Sequence, residues 1–222
     1  MDAVLICGGM IQDAFARNCL ETIRPDVVIG IDRGLEFCYR NQIIPSWILG
    51  DFDSIRPEII KWYRNQKEIP MKEYKPEKDA TDTRIGLDLA IELGSDRIFL
   101  LGATGGRLDH YMGNLQALLV PAMQGKEGWI LDEQNAITVL SGKKTITREM
   151  QFGKYISFFS MGDVVRGISL RGFKYPLENY DLANSDGLTI SNELEEAAGT
   201  VDFKQGFLMM VMSRDQVSQT FD

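Results

Sequence analysis

Two aspartates separated by a single residue, Asp51 and Asp53 in "GDFDS" (50–54), directly follow the apolar run "WIL". In an extended segment, side chains two residues apart point the same way, so this spacing predicts converging carboxylates. Like charges brought together are costly unless a cation lies between them. Mg²⁺ suits such a pair, because it takes oxygen ligands and shares its shell with substrate phosphates. The alternative is structural: Asp53 or Ser54 caps a helix beginning near Pro57. A second acidic stretch, "KDATD" (78–82), places Asp79 and Asp82 three apart at a helix start. These are either capping and first-turn charges or further members of a metal shell. Lys78 either reaches a phosphate or is solvated.

The stretch "LGATGGRLDH" (101–110) carries a different chemistry. Gly102, Gly105 and Gly106 let backbone approach a ligand and turn N–H groups toward it. The helix that follows adds the positive end of its dipole. Arg107 can fork onto phosphate oxygens. Asp109 is a helix N-cap, a metal ligand, or both. The pattern is neither GxxxxGK[ST] nor GxGxxG. His110 is the only histidine. No GxSxG elbow accompanies it, so it reads as a polar residue on the first turn of a helix.

The elements that must position these groups alternate. "AVLIC" (3–7), "DVVIGID" (26–32), "SWILGD" (46–51), "RIFLLGA" (97–103) and "GWILD" (128–132) are apolar runs without alternation. They suit parallel strands covered on both faces. Between them, 81–94 sets Ile85, Leu89 and Leu93 on one helical face with Gly94 as a stop. Likewise 109–120 sets Met112, Leu115 and Leu119 on one face and ends at Pro121. This predicts a layered α/β domain with a mostly parallel sheet over 1–132. From 133 to 222 the chain breaks into short strand-like pieces separated by turn residues, which predicts a small antiparallel all-β domain. Within it, "FLMMVM" reads as core. Ligands bind at the carboxyl ends of strands in open parallel sheets, and four polar clusters are expected at such ends: Asp32-Arg33-Gly34, 50–54, 102–109 and the loop 78–82 before a helix.

Bulk properties narrow the class. The 222 residues carry a net charge of −8, against the basic footprint of nucleic-acid or anionic-membrane binders. A polyanionic ligand would require local cations or metal. Cys7, Cys19 and Cys38 are widely spaced and odd in number. They read as reduced thiols in a cytoplasmic protein rather than a disulfide framework or zinc site. Neither a signal peptide nor a membrane span is expected.

Taken in order, "GDFDS", "KDATD", "GATGGRLDH" and "SNE" (191–193) resemble the thiamin pyrophosphokinase (thiamin diphosphokinase) family of bacterial type. "DRG" (32–34) and "LDEQN" (131–135) fit as well, and the resemblance spans nearly the whole chain. It implies an α/β catalytic domain, a β domain that helps bind thiamin, and a homodimer with shared active sites. It implies Mg²⁺-dependent transfer of pyrophosphate from ATP to the hydroxyethyl group of thiamin, giving thiamin diphosphate and AMP. Carried onto this sequence, Asp51, Asp53, Asp79 and Asp82 are metal-site acids, with Thr81 supporting their loop. Asp51, Asp53, Asp82, Arg107 and Asp109 form the catalytic set. Asp32, Gly102, Thr104, Gly105, Gly106 and Arg107 hold ATP, and Ser191 with Asn192 contacts thiamin. The readings that compete are another DxD metal enzyme acting on phosphates and a nucleotide-sensing module without catalysis.

Overall fold

The computed structural model describes residues 1–75 and 79–215. It divides into two compact units, Met1–Glu133 and Gln134–Asp222. The first unit runs β1 (Asp2–Ile6), α1 (Asp13–Ile23), β2 (Val27–Ile31), α2 (Gly34–Arg40), β3 (Trp47–Gly50), α3 (Pro57–Arg64) and β4 (Met71–Glu73). It continues with α4 (Asp82–Glu92), β5 (Arg97–Leu101), α5 (Leu108–Ala117), α6 (Leu119–Met123) and β6 (Glu127–Leu131). Its strands lie in the order β4-β3-β2-β1-β5-β6, and every neighbouring pair is parallel. The chain works outward from β1 through β4, then returns to the other side of β1 with β5. The order therefore reverses between β1 and β5, which leaves a crevice beyond their carboxyl ends.

Side chains of a strand alternate between faces, and both faces here are apolar. Val4, Ile6 and Ile48 pack with Ala16 and Cys19 of α1, Leu35, Phe37 and Cys38 of α2, and Ile59, Ile60 and Tyr63 of α3. On the opposite face α4 comes so close that a Cβ added at Gly86 would meet Ile31 Cδ1 at 2.5 Å and Leu5 Cδ2 at 3.1 Å. Leu5, Ile6, Ile29, Ile31, Ile48 and Leu49 are all fully buried. Each such side chain contributes about 1.5–3 kcal/mol relative to exposure. Double-sided burial is why these strands read as unbroken apolar runs.

The helices follow their own local rules. Thr81 caps α4, its Oγ1 accepting the Arg84 N–H at 3.3 Å, and Gly94 ends it at φ +89°. The buried face of α4 is built on Gly86, Leu87, Leu89 and Ala90, with Ile85 and Leu93 only half-buried at its margin. Three expectations fail. Arg56, not Asp53 or Ser54, stands at the cap of α3, because Pro57 fixes the first helical position. Arg107, not Asp109, stands at the cap of α5. Pro121 does not end a helix: the chain breaks at Leu118 and Pro121 sits in the first turn of α6, where a missing N–H costs nothing. Met112 is correspondingly exposed, and only Leu115 of α5 is buried. The short elements α2 and β4 carried too little periodicity to be named from sequence, and α1, though 11 residues long, was not named either.

The second unit contains β7 (Asn135–Leu140), β8 (Lys144–Thr147), β9 (Tyr155–Ser160), β10 (Val164–Arg171), β11 (Leu177–Ala183), β12 (Ala198–Asp202) and β13 (Leu208–Ser213). Strand β13 pairs antiparallel with β7 and β9. A separate antiparallel sheet has the order β11-β10-β12-β8. Leu208, Met210 and Met212 alternate inward, and Phe158 meets Phe173 edge to face at 5.7 Å. Strand β11 escaped the sequence reading because Leu182 is its only buried residue.

The tightest helix–sheet approach in the first unit is at Gly34, the first residue of α2. A Cβ there would lie 2.0 Å from the Ile6 carbonyl oxygen. Backbone cannot yield as a flexible side chain does, so Gly34→Ala is expected to lower stability by about 1–3 kcal/mol. The check is a urea midpoint that falls while the slope stays unchanged.

Candidate active site

The crevice beyond β1 and β5 opens into a cleft of about 760 Å³, within the usual range for small-molecule sites. All its walls come from the first unit, and they are strand ends and helix starts. The turn after β1 supplies Cys7, Gly8 and Gly9; the end of β2 supplies Ile31, Asp32 and Arg33; the segment after β3 supplies Asp51 and Ser54. Residues 79–83 enter from the start of α4, and 102–107, His110 and Asn114 from the end of β5 and the start of α5.

The turn after β1 is fastened to the glycine turn after β5. Cys7 N–H donates to the Leu101 carbonyl at 2.8 Å, Gly9 N–H to the Gly102 carbonyl at 2.8 Å, and Met10 N–H to the Thr104 carbonyl at 3.2 Å. A Cβ at Gly9 would fall 2.4 Å from the Gly102 oxygen, so only glycine permits this contact. Gly105 and Gly106 both sit at φ +75°, a conformation costly for other residues. Asn114 Nδ2 donates to the Ala103 carbonyl at 2.8 Å and ties the turn to α5. Sequence reading missed Gly8, Gly9, Thr83 and Asn114 as part of this wall; the glycine pair after the first apolar run was the available signal.

Asp32 organises the neighbouring wall. It sits at φ +44°, and its Oδ1 accepts the Asp51 N–H at 3.1 Å. A Cβ at Gly50 would lie 1.8 Å from that same oxygen, so the carboxylate fits where β3 has no side chain. The segment after β3 is not extended. Phe52 turns the chain at φ +61° and buries its ring in the core with Ile55 and Ile59. The premise that Asp51 and Asp53 point the same way along a strand is thus corrected. Asp51 lines the cleft; Asp53 does not, and its N–H donates to Asp51 Oδ1 at 3.2 Å. Asp79 and Asp82 do line the cleft with Asp32 and Asp51, and so do Gly102, Thr104, Gly105, Gly106 and Arg107. Lys78 lies outside the described residues.

The cations and thiols are differently disposed. Arg107 forks onto Asp109 through Nε at 3.1 Å and Nη2 at 2.5 Å. The Arg107 guanidinium, helped by the His110 N–H, holds the Asp109 carboxyl at about 2. Asp109 itself is outside the cleft lining. Arg33 donates through Nε at 3.1 Å and Nη2 at 2.8 Å to the Gly8 carbonyl. Burial pushes the Cys7 thiol up to about 12 despite a hydrogen bond with Thr83, and the Asp32 charge pushes it the same way. Cys7 is therefore a protonated wall, not a nucleophile. All three cysteines are free and buried.

Among the described residues no group of three or more His, Cys, Asp or Glu side chains is placed to hold a metal ion by itself. The donor set nevertheless fits Mg²⁺, which is usually held through one or two carboxylates with substrate phosphates and water filling the shell. In the second unit, Asn192 is buried and its amide is committed to backbone. Its Oδ1 accepts the Tyr175 and Glu193 N–H groups at 3.0 and 2.9 Å, and its Nδ2 donates to the Tyr175 carbonyl at 2.8 Å. Ser191 is exposed at φ +57°, with its N–H donating to Ser157 Oγ at 2.9 Å.

Comparison with known proteins matches two sequence families on this chain. Residues 22–130 match "Thiamin pyrophosphokinase, catalytic domain", and residues 143–208 match "Thiamin pyrophosphokinase, vitamin B1 binding domain". A thiamine pyrophosphokinase of Bacillus subtilis (strain 168) is 37% identical over 188 residues, covering 84% of this chain and 87% of its own. The crystal structure of thiamine pyrophosphokinase from Bacillus subtilis superposes with a TM-score of 0.85 at 32% identity, covering 97% of this chain and all of that one. That of thiamin pyrophosphokinase from Geobacillus thermodenitrificans gives 0.84 at 33% identity, covering 98% and 99%. With both domains of the family matched in order and a relative 37% identical across most of its length, this chain belongs to the thiamin pyrophosphokinase family and is an enzyme of that type.

Proposed function

We propose that this enzyme transfers pyrophosphate from ATP to the hydroxyethyl oxygen of thiamin, giving thiamin diphosphate and AMP. The observation that carries this reading is the meeting of Asp32, Asp51, Asp79 and Asp82 with the 102–107 glycine turn and Arg107 on one cleft. Acids alone would repel a polyphosphate: a pair of unit charges 4 Å apart interacts by about 4 kcal/mol in a partly screened site. Asp51, Asp79 and Asp82 would hold Mg²⁺, with Asp53 beside Asp51, and when bound it would neutralise charge on the phosphate oxygens. The backbone of Gly102 to Gly106 and the start of α5 supply donors on the other side, with Arg107.

Pyrophosphoryl transfer requires the thiamin oxygen to attack the β-phosphorus while the bond from that phosphorus to the oxygen bridging toward the α-phosphorus breaks. AMP leaves with the bridging oxygen. Holding the chain so that these atoms are in line is a matter of anchoring it at more than one point, and the carboxylate wall and glycine turn are such separate anchors. The thiamin hydroxyl loses its proton late in a loose transition state. Asp109 is unsuited to accept it, since its pairing with Arg107 makes it a weak base.

The second unit is read as the thiamin-binding half, with the Ser191 hydroxyl contacting the vitamin and Asn192 fixing the backbone that presents it. A homodimer with shared sites accords with exposed apolar side chains beside each half-site: Leu108 and Met112 on α5, and Leu188 and Ile190 next to Ser191. Tight assembly on such patches would remove them from water. A cytoplasmic location accords with the free cysteines. Among the described residues no helix is long and apolar enough to cross a membrane, and the net charge of −8 disfavours nucleic acid.

With ATP, Mg²⁺ and thiamin supplied together, AMP and thiamin diphosphate are expected in equal amounts. Phosphate release independent of thiamin would overturn the reading. Asp51→Asn is expected to lower kcat by about 100-fold or more with an unchanged thermal midpoint; normal turnover with retained Mg²⁺ dependence would remove Asp51 from the site. The Asp109 carboxyl is depressed in the folded state, so its link to Arg107 is complete above the ordinary value of 3.8 and is lost as pH falls through about 2. A carboxyl-resolved NMR titration should show that midpoint, and Arg107→Gln should move it back toward 3.8.

A further inference from the structure

We propose that Arg33 is a phosphate-binding residue of the cleft, donating to the polyphosphate of the nucleotide. The proposal rests on the reading of the cleft as an ATP site. Arg33 lies at the end of β2, between Asp32 and the start of α2, and it lines the same cleft as Asp32, Asp51, Asp79 and Asp82. One edge of its guanidinium is fixed to backbone: Nε and Nη2 both donate to the Gly8 carbonyl at 3.1 and 2.8 Å. The backbone there is close enough that a Cβ on Gly8 would touch Arg33 Cβ at 3.4 Å.

This arrangement differs from that of Arg107, the other arginine lining the cleft, and from the paired arginines of the unit. Arg40, Arg64 and Arg84 each face a carboxylate, and Arg107 faces Asp109. Arg33 is held by a neutral carbonyl, and no carboxylate of the described residues pairs with it. Its charge is therefore not cancelled locally. The Nη1 hydrogens and one on Nη2 remain for a ligand. The anchored fork also loses little freedom on binding. A cation held rigid, exposed and without an ion-pair partner, at the rim of an acidic cleft that must admit a polyanion, matches the geometry of phosphate recognition. The alternative is that Arg33 only clamps the turn after β1 to the end of β2.

The two roles separate by ligand. Affinity for a non-hydrolysable ATP analogue with Mg²⁺, and for adenosine, is measured on wild type, Arg33→Gln and Arg33→Lys. Arg33→Gln is expected to weaken the analogue on the order of 10- to 100-fold while leaving adenosine unchanged, and Arg33→Lys to lose less. In turnover the same variants raise KM for ATP and not for thiamin. Equal analogue affinity in wild type and Arg33→Gln, or equal losses for analogue and adenosine, overturns the proposal in favour of a clamp. Should Arg33→Gln not fold, Arg33→Lys against wild type decides by the same two comparisons. A wild-type protein that binds neither ligand defeats the ATP reading itself, a different outcome from the failure of Arg33 alone.

Discussion

A parallel strand covered by helices on both faces has no place in its interior for a charged side chain. Burying an unpaired charge is far more costly than any one apolar contact is favourable. In this protein β1, β2, β3 and β5 are so covered, with Leu5, Ile6, Ile29, Ile48 and Leu49 fully buried. Polar chemistry is pushed to the residues just past each strand, and the parallel arrangement sends all those ends to one side. The reversal of order between β1 and β5 then keeps the space beyond them open. Asp32, Asp51, the glycine turn and Arg107 meet because the covered middle of the sheet excludes them and the parallel strands bring these carboxyl ends together.

Meeting creates an electrostatic problem that the local backbone answers in part. Asp32 is drawn into the loop after β3 by the Asp51 N–H and by the space left at Gly50. Arg107 is restrained by Asp109. The cleft is thus arranged before any ligand enters, which is the condition for transition-state charges to be met without reorganisation. The double backbone link from Gly9 and Met10 to the turn after β5 serves the same end by making two strand-end turns move as one.

Some readings failed for the same local reason: the residue between two informative ones decided the outcome. In "GDFDS" the ring of Phe52 enters the core, and that burial draws the chain through φ +61°. Asp51 then faces the cleft and Asp53 does not line it, though spacing alone suggested that both point the same way. Near Pro57 and Arg107 the cap is set by where the helix can begin, not by which side chain caps best. Other features had no linear signal at all: the Asn192 amide is committed to the Tyr175 and Glu193 backbone, a use that no sequence pattern announces.

The sequence by itself determined the parallel α/β portion, the antiparallel β portion, and the stretches that carry chemistry. Apolar periodicity and glycine placement are local properties, and burial acts on them residue by residue. Family membership was legible too, because the motifs keep their order along the chain. Tertiary structure alone decided which of the acids share one cleft. It also set the conformation of the segment after β3, and it gave Arg33 a neutral carbonyl for an anchor where Arg107 has a carboxylate. Those outcomes depend on contacts between residues distant in the chain, such as Gly8 with Arg33 and Asp32 with Asp51, and distance along a sequence does not encode distance in space.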